Sequence, residues 1–183
     1  VVLAAGRSTR MGDINKLLVT WQGKPLVAHV VDAAVGCSEL SQVAVVTGHQ
    51  SQAVAAVLGE MVTTVHNPHY ATGMASSLKT AVEWSKQQNA DGVLVLLGDM
   101  PLVRSSDIEK MLATFAKANQ DAIIQATNQG QPGNPVLLPA SLFAELMHVD
   151  GDRGARSVIE LHGHQVIPVD IGTAAARDFD TPQ

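Results

Sequence analysis

Val1-Val2-Leu3-Ala4-Ala5-Gly6-Arg7-Ser8-Thr9-Arg10-Met11-Gly12-Asp13-Ile14-Asn15-Lys16 opens as five apolar residues running into a loop with two glycines and three cations. The apolar run does not alternate, as expected of a strand covered on both faces of a parallel sheet. A glycine-rich loop after the first strand of an open α/β sheet commonly wraps phosphates. Glycine permits positive φ and close backbone approach, so several N–H groups can point at one anion. Arg can grip phosphate oxygens in a bidentate way, and Lys supplies a compact point charge. Lys24 adds a fourth cation and none follows until Lys79; between Arg7 and Lys24 only Asp13 opposes them. The plain alternative is a solvated basic loop.

Two better-known phosphate loops are excluded by the same residues. The pattern G-x-x-x-x-G-K-[ST] needs Lys directly after its second glycine, but Gly6 and Gly12 are six apart and Asp13 follows. The G-x-G-x-x-G of dinucleotide-binding folds fails at Ser8, where its second glycine belongs, which disfavours a nicotinamide oxidoreductase. No G-x-S-x-G elbow of a hydrolase is present either.

Outward from the loop, short apolar runs at 1–5, 42–47, 61–65, 92–97, 122–126 and 165–169 read as strands. Stripes of helical spacing lie between them. Leu26, Val27, Val30, Val31, Ala34 and Val35 follow Pro25, a proline suited to the first helical position. Met74, Leu78, Ala81 and Val82 follow Gly73. Ile108, Met111, Leu112, Phe115 and Ala116 come with Ser106 and Glu109, the spacing of a capping box. Leu142, Phe143, Leu146 and Met147 form a shorter stripe, and Gly36, Gly59 and Gly163 read as helix ends. This alternation predicts an α/β fold: three layers, with an open, mostly parallel sheet and helices on both faces. The segment 128–135 (NQGQPGNP) breaks the rhythm, either joining two antiparallel strands or forming a rim loop.

The 183 residues suit a single domain over 1–183. A net charge of −5 and 3% aromatic residues argue against a nucleic-acid partner, which needs surplus cations or stacking rings. No apolar run approaches the roughly 18 residues of a membrane span. Cys37 is alone, so no disulfide framework or thiolate zinc cluster is expected, and a reduced cytoplasmic setting is the default. The chain starts inside an apolar run with no Met before it, as a trimmed polypeptide would.

The strand expected at 92–97 runs into Gly98-Asp99-Met100-Pro101. Ligands of open α/β sheets bind beyond the carboxyl ends of strands, where Asp99 would sit. A carboxylate there can hold Mg²⁺, which takes one or two protein oxygens and otherwise phosphates and water; alternatively Asp99 is a turn or cap residue before Pro101. Asn67-Pro68, Gly73-Met74 and Ser76-Ser77-Leu78 place hydroxyls and backbone N–H groups at a helix start, suited to a ribose, a base edge or a phosphate, or to an ordinary N-cap. His66 with His69 and His162 with His164 lack Cys or carboxylate partners in a metal-ligand spacing, so both pairs read as surface or loop residues.

The stretch L-A-A-G-x-S-x-R-M-G at residues 3–12, with Asn15-Lys16 after it, resembles the molybdenum cofactor cytidylyltransferases. These are nucleotidyltransferases of a GT-A-like, Rossmann-related fold, the nucleotide-diphospho-sugar transferase type. Gly98-Asp99-Met100-Pro101, N-P-x-x-x-x-G-M-x-S-S-L from Asn67, Gly133-Asn134-Pro135, Gly151-Asp152-Arg153-Gly154-Ala155-Arg156 and the tail Asp178-Phe179-Asp180-Thr181-Pro182 also match family segments. The family tail normally continues into more helix. The resemblance implies that Leu3, Ala4, Ala5, Gly6, Ser8, Gly12, Lys16, Ser76, Ser77 and Gly98 bind the nucleotide, with Arg10 and Lys16 neutralising its triphosphate. It implies Asp99 as the Mg²⁺ ligand and Asp180, slightly over Asp178, as the second. Asn134, Arg153 and Arg156 become candidates for the anionic acceptor, although capping by Asp152 and plain solvation would also explain the arginines. Guanylyl-transferring relatives tend to read L-A-G-G, so the methyl of Ala5 hints at cytidine.

The implied reaction moves CMP from CTP to the terminal phosphate of molybdenum cofactor, with Arg10, Lys16 and Asp99 catalytic and docking to a molybdenum hydroxylase as a further partner. A guanylyltransferase or sugar-phosphate nucleotidyltransferase would share the phosphate machinery. A non-catalytic module delivering nucleotide or cofactor would have no need of Asp99.

Overall fold

The computed structural model describes residues 1–7 and 15–179, and among these the strand–helix alternation assembles around one seven-stranded sheet. In chain order its strands are β1 (Val2–Ala4), β4 (Ala44–Thr47), β5 (Thr63–His66), β6 (Gly92–Leu97), β7 (Ile123–Asn128), β8 (Gln131–Pro139) and β9 (Val166–Asp170). Their spatial order is β5-β4-β1-β6-β8-β7-β9. Only β8 runs antiparallel to its neighbours β6 and β7; the other pairings are parallel. The six strand positions read from the apolar runs are therefore present, with ends shifted by a few residues.

Period-two alternation along the central strands builds the three layers. Val2, Val45, Leu94, Leu96, Ile124 and Leu137 face one side, where α1 (Leu26–Val35), α2 (Ser51–Leu58) and α4 (Ser105–Lys117) cover them with Val27, Val30, Val31, Val54, Leu58, Ile108, Met111 and Phe115. Val46, Val93, Val95, Ile123, Val136 and Leu138 face the other side. There α3 (Met74–Gln87), α5 (Phe143–Leu146) and α6 (Arg156–Leu161) contribute Leu78, Ala81, Val82, Phe143, Leu146 and Val158. Each fully buried aliphatic side chain contributes roughly 1.5–3 kcal/mol, so two continuous apolar faces hold the sheet between its helices.

Local details depart from the sequence expectation. Pro25 precedes α1 with ψ 145 instead of occupying its first turn, because it pairs with Thr20 in a small hairpin of β2 (Thr20–Trp21) and β3 (Lys24–Pro25). The hairpin turns at Gln22 and Gly23, both at positive φ, the backbone a tight two-residue connection requires. In α4 the reciprocal cap falls to Asp107, whose Oδ2 accepts from the Arg104 N–H at 3.1 Å, and not to Ser106 and Glu109. Ser105 is drawn the other way, donating to the Ala33 carbonyl of α1 at 2.8 Å. A helix started one residue earlier thus docks directly on α1.

The segment 128–135 joins two antiparallel strands. Asn128 pairs with Gln131 around a turn at Gln129 and Gly130, and Thr127 pairs with Pro132. The register then shifts, leaving 133–135 outside the ladder before Val136 pairs with Gln125. This bulge accommodates residues a regular ladder would exclude. Gly133 lies so close to the Ala175 carbonyl that a Cβ could not fit.

Candidate active site

β1 and β6 are parallel neighbours whose following chain departs in opposite directions: β1 continues toward β4 and β5, whereas β6 leads toward β8, β7 and β9. A crevice opens beyond their carboxyl ends, the position where such sheets bind ligands. Gly98 ends β6 with its N–H donating to the Leu3 carbonyl at 3.0 Å. A Cβ at Gly98 would lie 3.1 Å from that carbonyl oxygen and 3.3 Å from Leu17 Cδ2, so glycine allows the two strand ends to close up.

Asp99 follows at the crevice edge and accepts a 2.7 Å charge-assisted bond on Oδ2 from Lys16 Nζ. Lys16 begins a short turn, Lys16–Leu18, whose preceding Asn15 is buried and accepts from the Leu17 N–H at 3.1 Å. Buried Leu17 pins the turn to the α1 side of the sheet. The Lys16 and Asp99 side chains are 16% and 19% exposed, shielded enough to strengthen their attraction yet reachable by a ligand. Asp99 lies in a turn, where Met100 N–H donates to the Leu97 carbonyl, and it also lines the cavity beyond the strand ends.

The tail returns to the same point. Phe179 N–H donates to the Asp99 carbonyl at 3.1 Å, and the Phe179 ring meets Trp21 edge-on at 5.1 Å between centroids. Trp21 in turn packs on His29 of α1, whose Nε2 lies 2.8 Å from the Trp21 carbonyl. Exposed Asp178 is thereby carried to within two residues of the Asp99 contact. Ser8, Arg10, Gly12 and Asp180 lie outside the described residues.

A cavity of about 470 Å³ follows from the β1 end, with Ala5, Gly6, Arg7, Ser77, Gly98 and Asp99 in its wall. Tyr70 also lines it, held over Gly48, with the Arg7 guanidinium 5.8 Å from its ring centroid. Ala4 instead points into the core on the α1 face. Asn67, buried after β5, donates to Ser76 Oγ at 2.9 Å and Ser77 Oγ at 3.1 Å, tying the strand end to α3. Ser77 remains in the cavity wall, whereas Ser76 lines a separate groove on the outer side of α3. The helix start is occupied as well: Met74 N–H donates to Asp152 Oδ1 at 3.3 Å and Ala75 N–H to the Gly151 carbonyl at 2.9 Å. Asp152 therefore caps α3, across 78 residues of sequence.

Leu3, Met74 and Leu97 are shared with a second cavity of about 540 Å³, so the two form one continuous cleft across the strand ends. Asn134 of β8, Arg153 and Arg156 all line this second part, which brings the three acceptor candidates together. Its floor is apolar, with Val95, Leu97, Val136 and Leu138. Glu160, which carries no motif, pairs with both arginines. The bond from Arg156, with the charge of Arg153 beside it, holds the Glu160 carboxyl below its usual value of 4.5. Tyr70 and Glu160 carry no motif signal, and Asp152 sits in a motif that does not reveal its partner, because all three roles arise from contacts between distant segments. His162 pairs with Glu145 at 2.8 Å, and among the described residues no three His, Cys, Asp or Glu side chains cluster as a metal site.

Residues 1–166 match the model of the MobA-like NTP transferase domain, and the chain belongs to that family of nucleotidyltransferase enzymes. A bifunctional protein GlmU of Sinorhizobium medicae is 31% identical over 168 residues, 89% of this chain and 36% of that protein. The match spans between 25% and 39% of the length of such relatives. The molybdenum cofactor cytidylyltransferase of Escherichia coli K12 is 26% identical over 184 residues, covering 100% of this chain and 90% of its own. Among solved structures, the homologue of Mycobacterium tuberculosis Rv0371c from Mycobacterium sp. strain JC1 superposes with a TM-score of 0.83 at 25% identity, covering 98% of this chain and 88% of that one. These are relatives of a nucleotidyltransferase of the nucleotide-diphospho-sugar transferase fold. No helix among the described residues is long and apolar enough to cross a membrane.

Proposed function

We propose that this enzyme transfers CMP from CTP to the terminal phosphate of molybdenum cofactor and releases pyrophosphate. The observation that carries the reading is the shared cleft: Lys16 and Asp99 stand at the strand ends, with the β1 loop on one side and Asn134, Arg153 and Arg156 on the other. Two anionic substrates can meet there end to end. The choice of CTP and of molybdenum cofactor is supported by the whole-chain similarity to the Escherichia coli cytidylyltransferase and by Ala5, whose methyl lines the nucleotide side.

An oxygen of the acceptor phosphate attacks the α-phosphorus of CTP in line; the bond from that phosphorus to the bridging oxygen breaks, and the electron pair leaves on pyrophosphate. No protein nucleophile is needed, and catalysis rests on positioning and charge neutralisation. Lys16 has three donors, so it can keep its bond to Asp99 while donating to a phosphate oxygen. Arg10, in the same loop, adds a second cation for the departing pyrophosphate. Arg153 and Arg156 hold the acceptor phosphate, and the apolar floor excludes water beneath it.

A divalent cation fits the donor set. Asp99 would supply one carboxylate and Asp178, next to the Phe179 whose N–H donates to the Asp99 carbonyl, or Asp180, outside the described residues, would supply a second; one or two is the number Mg²⁺ takes when phosphates and water complete its shell. When bound, Mg²⁺ would neutralise charge shared between the triphosphate groups. Release of the product to a molybdenum hydroxylase is the docking step that would follow.

Pyrophosphate release with CTP and molybdenum cofactor is the direct test, run beside GTP and beside sugar 1-phosphate acceptors. Activity with CTP and the cofactor is expected, and Asp99→Ala should lower it by about 100-fold or more. Equal rates for wild type and Asp99→Ala would remove Asp99 from catalysis; equal stabilisation by CTP and GTP would remove the cytidine assignment.

A further inference from the structure

Glu160 sits where an anionic ligand would. Arg156 opens α6 and Glu160 lies one turn later, so their 2.9 Å contact from Nε to Oε1 is an ordinary helical i, i+4 pair. Arg153 comes from the turn before the helix, yet its Nη2 reaches the other oxygen, Oε2, at 2.7 Å. Two guanidiniums from different local structures thus converge on the two oxygens of one carboxylate. That is the arrangement by which a pair of arginines holds a phosphate or carboxylate ligand. All three side chains line the apolar-floored cavity, and among the described residues of its wall these arginines are the only cations and Glu160 the only anion.

We infer that Glu160 is a built-in competitor for the acceptor's phosphate, occupying the Arg153–Arg156 cradle until a more highly charged anion displaces it. The inference rests on the reading that this cavity takes the acceptor. Glu160 is tethered to the cradle, so its effective concentration there is high and a free monoanion gains little by exchanging with it. A phosphomonoester dianion brings a second charge and a third oxygen, and wins the exchange. Specificity then comes from a repulsive element placed against weak anions as much as from attraction to the right one. Glu160 is half exposed even in its pairs, so the carboxylate stays in contact with solvent when it is displaced.

Steady-state kinetics with saturating CTP, varying molybdenum cofactor and adding inorganic phosphate as a competitive probe, tests this on Glu160→Gln, Arg153→Ala, Arg156→Ala and the Arg156→Ala/Glu160→Gln double variant. Exposed pairs of this kind are individually weak, so Glu160→Gln is expected to lower the acceptor KM by about 3- to 10-fold, with the change in KM and not in kcat. Inhibition by inorganic phosphate should strengthen by a similar factor, and the KM gain should shrink in the Arg156→Ala background. A purely structural helix pair would show neither the KM split nor that coupling. If both arginine variants raise the acceptor KM while Glu160→Gln leaves it unchanged or raised, the competitor is overturned and the acceptor site stands. If neither arginine variant alters the acceptor KM, the acceptor reading falls and the inference falls with it.

Discussion

Gly48 shows how a single missing methyl shapes the cavity at the β1 end. A Cβ there would lie 2.5 Å from Tyr70 Cβ and 2.9 Å from Ala5 Cβ, distances that packed atoms do not tolerate. Gly48→Ala must therefore push Tyr70 off the β1 end. The expected cost is about 1–3 kcal/mol in denaturant unfolding, with a raised KM for the nucleotide because Tyr70 lines its cavity. An unchanged nucleotide KM despite the lost stability would mean that Tyr70 only packs. Glu160 makes a different prediction. Its folded value lies below the usual 4.5, so its pairing contributes above that pH and is lost as pH falls through the lowered value. Carbon-detected titration should find its midpoint below that of an isolated glutamate, and Arg156→Ala should return most of the difference, since the Arg156 bond is the largest cause.

Elements meet the cleft through a few long-range ties. Asn67 joins the end of β5 to the first turn of α3 through both Ser76 and Ser77, and its own Oδ1 accepts from the His69 N–H at 2.9 Å. Asn67→Ala should cost about 1–3 kcal/mol, the penalty of leaving buried polar groups unpaired, measured by chemical denaturation. A cost near zero would show that water replaces the amide. The α3 start is held from the other side by Gly73, at φ 114, where a Cβ would lie 2.7 Å from Gly151 O and from Asp152 Oδ1. That contact places the turn carrying Arg153 directly on the helix that walls the cavity at the β1 end. The motif residues Gly73-Met74 and Gly151-Asp152 are thus one junction, built from segments 78 residues apart.

For the whole molecule, the net charge of −5 conceals a local arrangement more balanced than the sequence suggested. Lys16 and Lys24, unopposed nearby in sequence except by Asp13, are paired in space with Asp99 and Asp32. At the strand ends Lys16 is matched by Asp99, and Glu160 serves both Arg153 and Arg156, while Arg7 lies over the Tyr70 ring. Without triphosphate, too few described carboxylates converge to make a protein-only metal cage. Mg²⁺ alone should therefore raise the melting temperature by less than about 1 °C, whereas Mg²⁺ with CTP should give a clear upward shift that exceeds CTP alone. A substantial shift from Mg²⁺ in the absence of nucleotide would contradict a substrate-completed site.

Strand and helix positions were legible because burial on both sheet faces imposes near-continuous apolar runs, and burial of one helix face imposes the 3.6-residue stripe. Asp99 could be placed for the same reason: an apolar run ending in Gly-Asp puts the Asp at a carboxyl edge. β8 was only half visible, since Pro132, Pro135 and Pro139 speak against a strand until the bulge at 133–135 and its antiparallel pairing with both β6 and β7 are known. By itself, then, the sequence determined the layered α/β class, the cationic first loop and the strand-end carboxylate. Each is written in local patterns that backbone geometry and burial enforce. Only the tertiary structure decided that Lys16 answers Asp99 across 83 residues, that Asp152 caps α3, that Ser76 and Ser77 line different cavities, and that Glu160 pairs with both Arg153 and Arg156. Those facts depend on which loops the folded sheet brings to one edge, and no periodicity or spacing along the chain encodes that meeting.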